Sequence, residues 1–177
     1  MQALVVYLVA AMAAWANLPQ DCETAKNAIS CATWERYHGE TIEASRERYQ
    51  QVAEDIGAEA EQRPGDAKQN ERVALRLLAI AYEESRFHVG VDDGTCNRSH
   101  VAARPCDGGR AWGMWQLHPE AMGGVYKGPL SGEDLVGSRP LEVRIAWDLV
   151  QRRPGAWTSW PMAARRAVEW EQRHPLP

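Results

Sequence analysis

Two adjacent glutamates, Glu83 and Glu84, close an apolar stretch that reads as a helix from Asn70 to about Arg86. At roughly 100° per residue from Val73, Leu77 falls near 40°, Ile80 near 340°, Ala81 near 80° and Glu84 near 20°. Arg72, Arg76 and Glu83 share a polar stripe instead, so neighbouring carboxylates meet different surroundings. An apolar wall disfavours the ionised carboxyl, which suits Glu84 to act as a general acid at neutral pH. A helix end at which Glu84 simply reaches water is the plain alternative. The five histidines show no partner nucleophile, since no Gly-x-Ser-x-Gly is present. Cys22 with Cys31 and Cys96 with Cys106 each close a short loop, as two local disulfides would, each worth about 2–3 kcal/mol. Cys96, His100, Cys106 and His118 also cluster, but without the Cys-x2-Cys spacing of structural zinc sites, so no metal and no cofactor is expected.

The elements that must position Glu84 are helical. Asp21 to Ala32 forms a short helix tied by its two cysteines, and Glu40 to Gln62 a long surface helix with a narrow stripe of Ile42, Tyr49, Val52 and Ile56. Arg63-Pro64-Gly65-Asp66 separates it from the Glu84 helix. Gly90 to Gly124 loses helical period and fills with Gly, Asp, Asn and Pro, a long loop that a Cys96–Cys106 bridge would stiffen. Two further helices, Pro140 to Arg153 and Pro161 to Arg173, begin with the residue favoured at the first helical position. The fold class predicted is mainly α, with little or no sheet.

With 177 residues the chain matches the usual size of one domain. A formal charge of -4 leaves no basic field for nucleic acid. Eight Trp and five Tyr against one Phe is a skewed aromatic set, suited to a small core or to stacking on carbohydrate rings. Residues 1–16 carry no charged side chain and end in Ala14-Trp15-Ala16, which reads as a signal peptide or short membrane anchor giving export and transient membrane association. A buried N-terminal helix is the alternative. Residues 17–177 then form a single domain with its motif core at about 70–160, expected to act as a monomer.

Glu84-Ser85-Arg86-Phe87, followed by Gly113-Met114-Trp115-Gln116-Leu117-His118-Pro119, resembles the paired motifs of the lytic transglycosylase and goose-type lysozyme superfamily. The resemblance covers roughly Arg72 to Pro119. It implies a lysozyme-like helical domain, with Glu84 as sole catalytic acid and base on peptidoglycan glycan strands. Ser85, Met114, Trp115 and Gln116 are implied as substrate contacts or positioning groups. A periplasmic, envelope or secreted enzyme of bacterial or bacteriophage origin, such as an endolysin, fits the same resemblance.

Met114-Trp115 replaces the family's usual Leu-Met, and the Tyr-Asn-Ala-Gly motif that places a tyrosine near the glutamate is missing. The matching region is Gly155 to Trp160, where Ser159 or Trp160 stands in its place. Asp92, Asp93 and Asp107 are candidate second carboxylates. Asp107 stands six residues before Gly113, as an acidic residue does in goose-type enzymes, and would turn the chemistry to hydrolysis. Within Asp107-Gly108-Gly109 it reads equally as a turn residue. Trp112, Trp115, Trp157 and Trp160 are candidate sugar-stacking rings, and Arg110 and His118 candidate contacts to peptide stems. A cell-wall-binding or secretion-assembly protein without turnover is the rival reading.

Overall fold

The computed structural model describes residues 1–23, 25–99, 110–119, 130–152 and 160–177. Among the described residues regular structure is helical, apart from one isolated bridge between Trp112 and Leu117. The fold is mainly α, as the sequence pattern predicts.

The helices at the centre begin and end for local chemical reasons. α1 (Gln2–Trp15) and α2 (Ala25–His38) precede α3 (Ile42–Gln62), which starts at Thr41, whose side-chain oxygen accepts from the Ala44 N–H at 3.2 Å. The Pro-Gly break follows, and α4 (Ala67–Ser85) starts at Asp66, which accepts from the Lys68 N–H at 3.3 Å. α4 runs through the core with Ala74, Leu77, Leu78, Ala79 and Ala81 wholly buried. α1, α3, α8 (Arg139–Arg152) and the last helix, α9 (Pro161–Arg173), all pack against it. The segment expected to be one long loop after Gly90 holds two single-turn helices, α5 (Val89–Asp92) and α6 (Thr95–Arg98), and α7 (Gly132–Gly137) precedes α8. Such short turns leave no readable period, which is why the sequence hid them.

Residues 1–16, expected as a leader or anchor, have a packed place in this fold. Leu8, Ala11 and Met12 of α1 expose no surface, and Trp15 meets Trp170 of α9 edge-on at 5.9 Å. Each buried side chain of that size contributes about 1.5–3 kcal/mol. α1 is fastened at its middle and at its C-terminal end: Tyr7 donates to the His174 carbonyl at 2.7 Å, and Trp34 of α2 donates to the Ala16 carbonyl at 2.9 Å. Among the described residues no helix is long and apolar enough to cross a membrane. The Cys22–Cys31 disulfide forms as expected. Cys96 is disulfide-bonded, so its sulfur is no thiolate for a metal; its expected partner Cys106 lies outside the described residues.

Candidate active site

The last turn of α4 is held in an unusual backbone shape. Arg86 and Phe87 both take the left-handed conformation, at φ 53° and 55°. For an L residue this costs about 1–2 kcal/mol each and persists only where the surroundings enforce it. Ser85 is fully buried; its hydroxyl donates to the Ala81 carbonyl at 2.7 Å and accepts from the Phe87 N–H at 3.1 Å. Phe87 is locked edge-on between Tyr49 and Tyr82, at 5.5 and 5.3 Å, and its carbonyl accepts from Arg48 at 2.6 Å.

Glu83 and Glu84 leave this turn in different directions. Glu83 is gripped by two guanidinium groups, Arg86 at 2.9 Å and Arg166 of α9 at 2.8 Å. Glu84 is half-buried, and its carboxylate accepts a hydrogen bond from the Trp160 indole N–H. Trp160 itself caps α9, its carbonyl accepting from the Ala164 N–H at 3.0 Å. An indole can donate but not accept, so it holds one carboxylate oxygen without competing for the proton.

The Gly113 to Leu117 turn docks on the same helix. Trp112 and Leu117 close it with reciprocal backbone hydrogen bonds of 2.8 and 2.9 Å, and the Trp115 indole donates to the Leu77 carbonyl at 2.9 Å. This bond anchors the turn to the middle of α4, about two helical turns before Glu84. Gly113 has φ 72°, and a Cβ there would come 2.0 Å from Glu142 Oε1. Only glycine fits.

That contact belongs to a buried ionic chain. Glu142 is 1% exposed, accepts from the Met114 and Trp115 N–H groups, the latter at 3.2 Å, and pairs with Arg139 at 3.2 Å. Burial pushes its carboxyl up to about 8 against the pull of Arg139 and the two N–H donors. Arg139 also bonds Asp92, Asp92 bonds Arg48 at 2.9 Å, and Arg48 bonds Glu40 at 2.5 Å. Of the candidate second carboxylates, Asp92 is thus taken up in this chain, while Asp93 is exposed and outside it. Asp92 is 2% exposed between two guanidinium groups, and Asp93 accepts from the Thr95 N–H at 2.8 Å to start α6.

Several expected substrate contacts face inward. Ser85 and Met114 are wholly buried and Trp115 is 3% exposed, so their side chains are closed to a ligand. Gln116 is half-buried at φ 50°, and its amide donates back to the Gly113 carbonyl at 2.9 Å, not to Glu84. Trp160 does reach Glu84. Asp107, Trp157 and Ser159 lie outside the described residues. The sequence reading missed Glu142, Arg139 and Arg48. The first of these carries the signal used for Glu84: a carboxylate among the apolar positions Leu141, Val143, Ala146 and Leu149. No family model matches the chain, and no curated protein or solved structure matches it.

Proposed function

We propose that the protein cleaves peptidoglycan glycan strands between N-acetylmuramic acid and N-acetylglucosamine, with Glu84 as the single general acid and base of a lytic transglycosylase. The observation that carries this reading is the state of Glu84. It is a half-buried carboxylate whose bond comes from a neutral indole, beside a glutamate neutralised by two arginines. Glu84 gives its proton to the glycosidic oxygen as the bond from C1 breaks. It then takes the proton of the sugar's own C6 hydroxyl, whose oxygen closes on C1 to give a 1,6-anhydro end. The nucleophile is part of the substrate, so no water need be captured and oriented. Trp160 keeps one carboxylate oxygen in place through both transfers. The strained turn after Glu84 and the docked Gly113 to Leu117 turn support the reading, because such strain gathers at working sites.

Export to the cell envelope belongs to the same proposal, since the substrate lies there and Cys22 and Cys31 are oxidised. The test is purified sacculi incubated with wild type and Glu84→Gln. Anhydro ends from the wild type and none from the variant support the proposal. New reducing ends point instead to hydrolysis with a second carboxylate, and uncleaved but bound sacculi to a wall-binding protein. Equal clearance by both proteins removes Glu84 from the chemistry.

A further inference from the structure

The molecule has a second concave surface. A groove of about 560 Å³ lies between the C-terminal end of α1, α2 and the last turn of α4. That volume is ordinary for a small-molecule site. Its walls are aromatic, formed by Trp15, Trp34, Tyr37 and Tyr82, and Tyr37 is 54% exposed. At roughly 100° per residue Tyr82 stands about 160° around α4 from Glu84, so the groove and the candidate catalytic carboxylate occupy different sides of that helix.

The polar groups of the groove are few. Asn17, Ser30 and Thr33 bring an amide and two hydroxyls, and among the described residues Arg86 is the one charged side chain on the lining. Arg86 and Arg166 share the Glu83 carboxylate, and Arg166 also lies in the field of Glu169. Arg86 also stands over the Tyr82 ring, 4.6 Å from its centroid. His38 lines the groove, is 4% exposed, stacks on Trp34 at 4.0 Å, and has an Nδ1 without a hydrogen-bond partner. Burial, helped by the nearby His88 and Arg48, lowers its imidazole to about 4, so the ring is neutral and that nitrogen can accept. A buried ring nitrogen with nothing to bond is costly in a finished core and useful in a binding wall.

We propose that this groove binds an anionic saccharide, with a sugar face on the exposed Tyr37 ring, hydroxyls on Asn17, Thr33 and His38, and a carboxylate on Arg86. A ring with a flat apolar face matches the C–H face of a pyranose, the amide and hydroxyls match its rim, and the Arg86 guanidinium selects a negatively charged sugar. Assigning that sugar to the muramic residues of the glycan strand rests on the function proposed above. The chemistry of the groove does not. The site would hold a strand on a second face while another stretch lies at Glu84.

The test uses the full chain carrying Glu84→Gln, so that binding is read without turnover. It is titrated with a tetrasaccharide of alternating N-acetylglucosamine and N-acetylmuramic acid and, separately, with a neutral N-acetylglucosamine tetrasaccharide. The indole N–H signals of Trp15, Trp34 and Trp160 are followed by NMR. The muramic oligomer is expected to shift Trp15 and Trp34. A further Arg86→Gln change is expected to weaken that oligomer about ten-fold and leave the neutral one unaltered, whereas Tyr37→Ala weakens both about ten-fold. Tyr37 is exposed, so its loss leaves the core intact, as circular dichroism will check. Shifts confined to Trp160, or an Arg86→Gln protein that still prefers the muramic oligomer, overturn the proposal. Cleavage of sacculi by the wild type without groove shifts removes the groove and keeps the Glu84 reading. Groove shifts in a protein that leaves sacculi whole do the reverse.

Discussion

Two sets of carboxylates in this chain are handled in opposite ways. Glu40, Asp92 and Glu142 are threaded with Arg48 and Arg139 into one ionic chain, in which Asp92 and Glu142 are fully buried. Glu84 stands half-buried at a helix end with a neutral donor and, among the described residues, no ion pair. A carboxylate whose lone pairs are taken up by guanidinium and backbone N–H groups is a fixed strut, closed off inside the fold. One held by a single indole is left open to another partner. Glu83 and Glu84 repeat the contrast within two residues.

The contrast breaks most visibly at Asp92. Asp92→Ala leaves Arg48 and Arg139 buried beside each other, and a loss of about 3–5 kcal/mol is expected in denaturant unfolding. A loss below about 1 kcal/mol would mean that water already satisfies the chain. Next in size, Glu84→Gln should reduce glycan cleavage about 10³-fold while the melting temperature stays put. Glu83→Gln should do the opposite, retaining cleavage and giving up about 1 kcal/mol of stability with its two arginines. Identical profiles for the two variants would erase the distinction. Trp160→Phe keeps the ring bulk and removes the donor, so kcat should fall about ten-fold with KM little changed; a KM effect alone would make Trp160 a sugar contact.

A further effect is on pH. The folded value of His38, about 4, lies below its ordinary 6.5, so between those limits the unfolded chain binds a proton that the folded chain refuses. Stability from this group is complete above pH 6.5 and is lost as pH falls to 4. Glu142 runs the other way, since its folded value of about 8 is above 4.5 and its contribution fades as pH rises between the two. Melting curves of His38→Gln should therefore flatten on the acid side alone.

Much of the helical plan was legible. Apolar spacing located α3, α4, α8 and α9 to within three residues at either end, because each buries one face for several turns. The site was legible in part. Glu84 and Trp160 were named from motif positions, and they meet. Met114 and Trp115 were assigned outward because a motif states which residues are present and says nothing of which way they turn. The residue on which that turn rests, Glu142, is 27 positions from Trp115, too far for any local pattern to pair them.

α1 shows the same division. An uncharged run of residues is compatible with a membrane, a leader or a core, and composition cannot choose among apolar surroundings. Packing against α3 and α4 puts it in the core of this fold. By itself the sequence determined the helical class, the break before α4 and the unequal surroundings of Glu83 and Glu84, all of which follow from spacing along one chain. Tertiary structure decided which carboxylates acquired cations and which ring reached Glu84. The pairs that Trp160 and Arg166 make with Glu84 and Glu83 span 76 and 83 positions, and only the folded core brings them within hydrogen-bonding range.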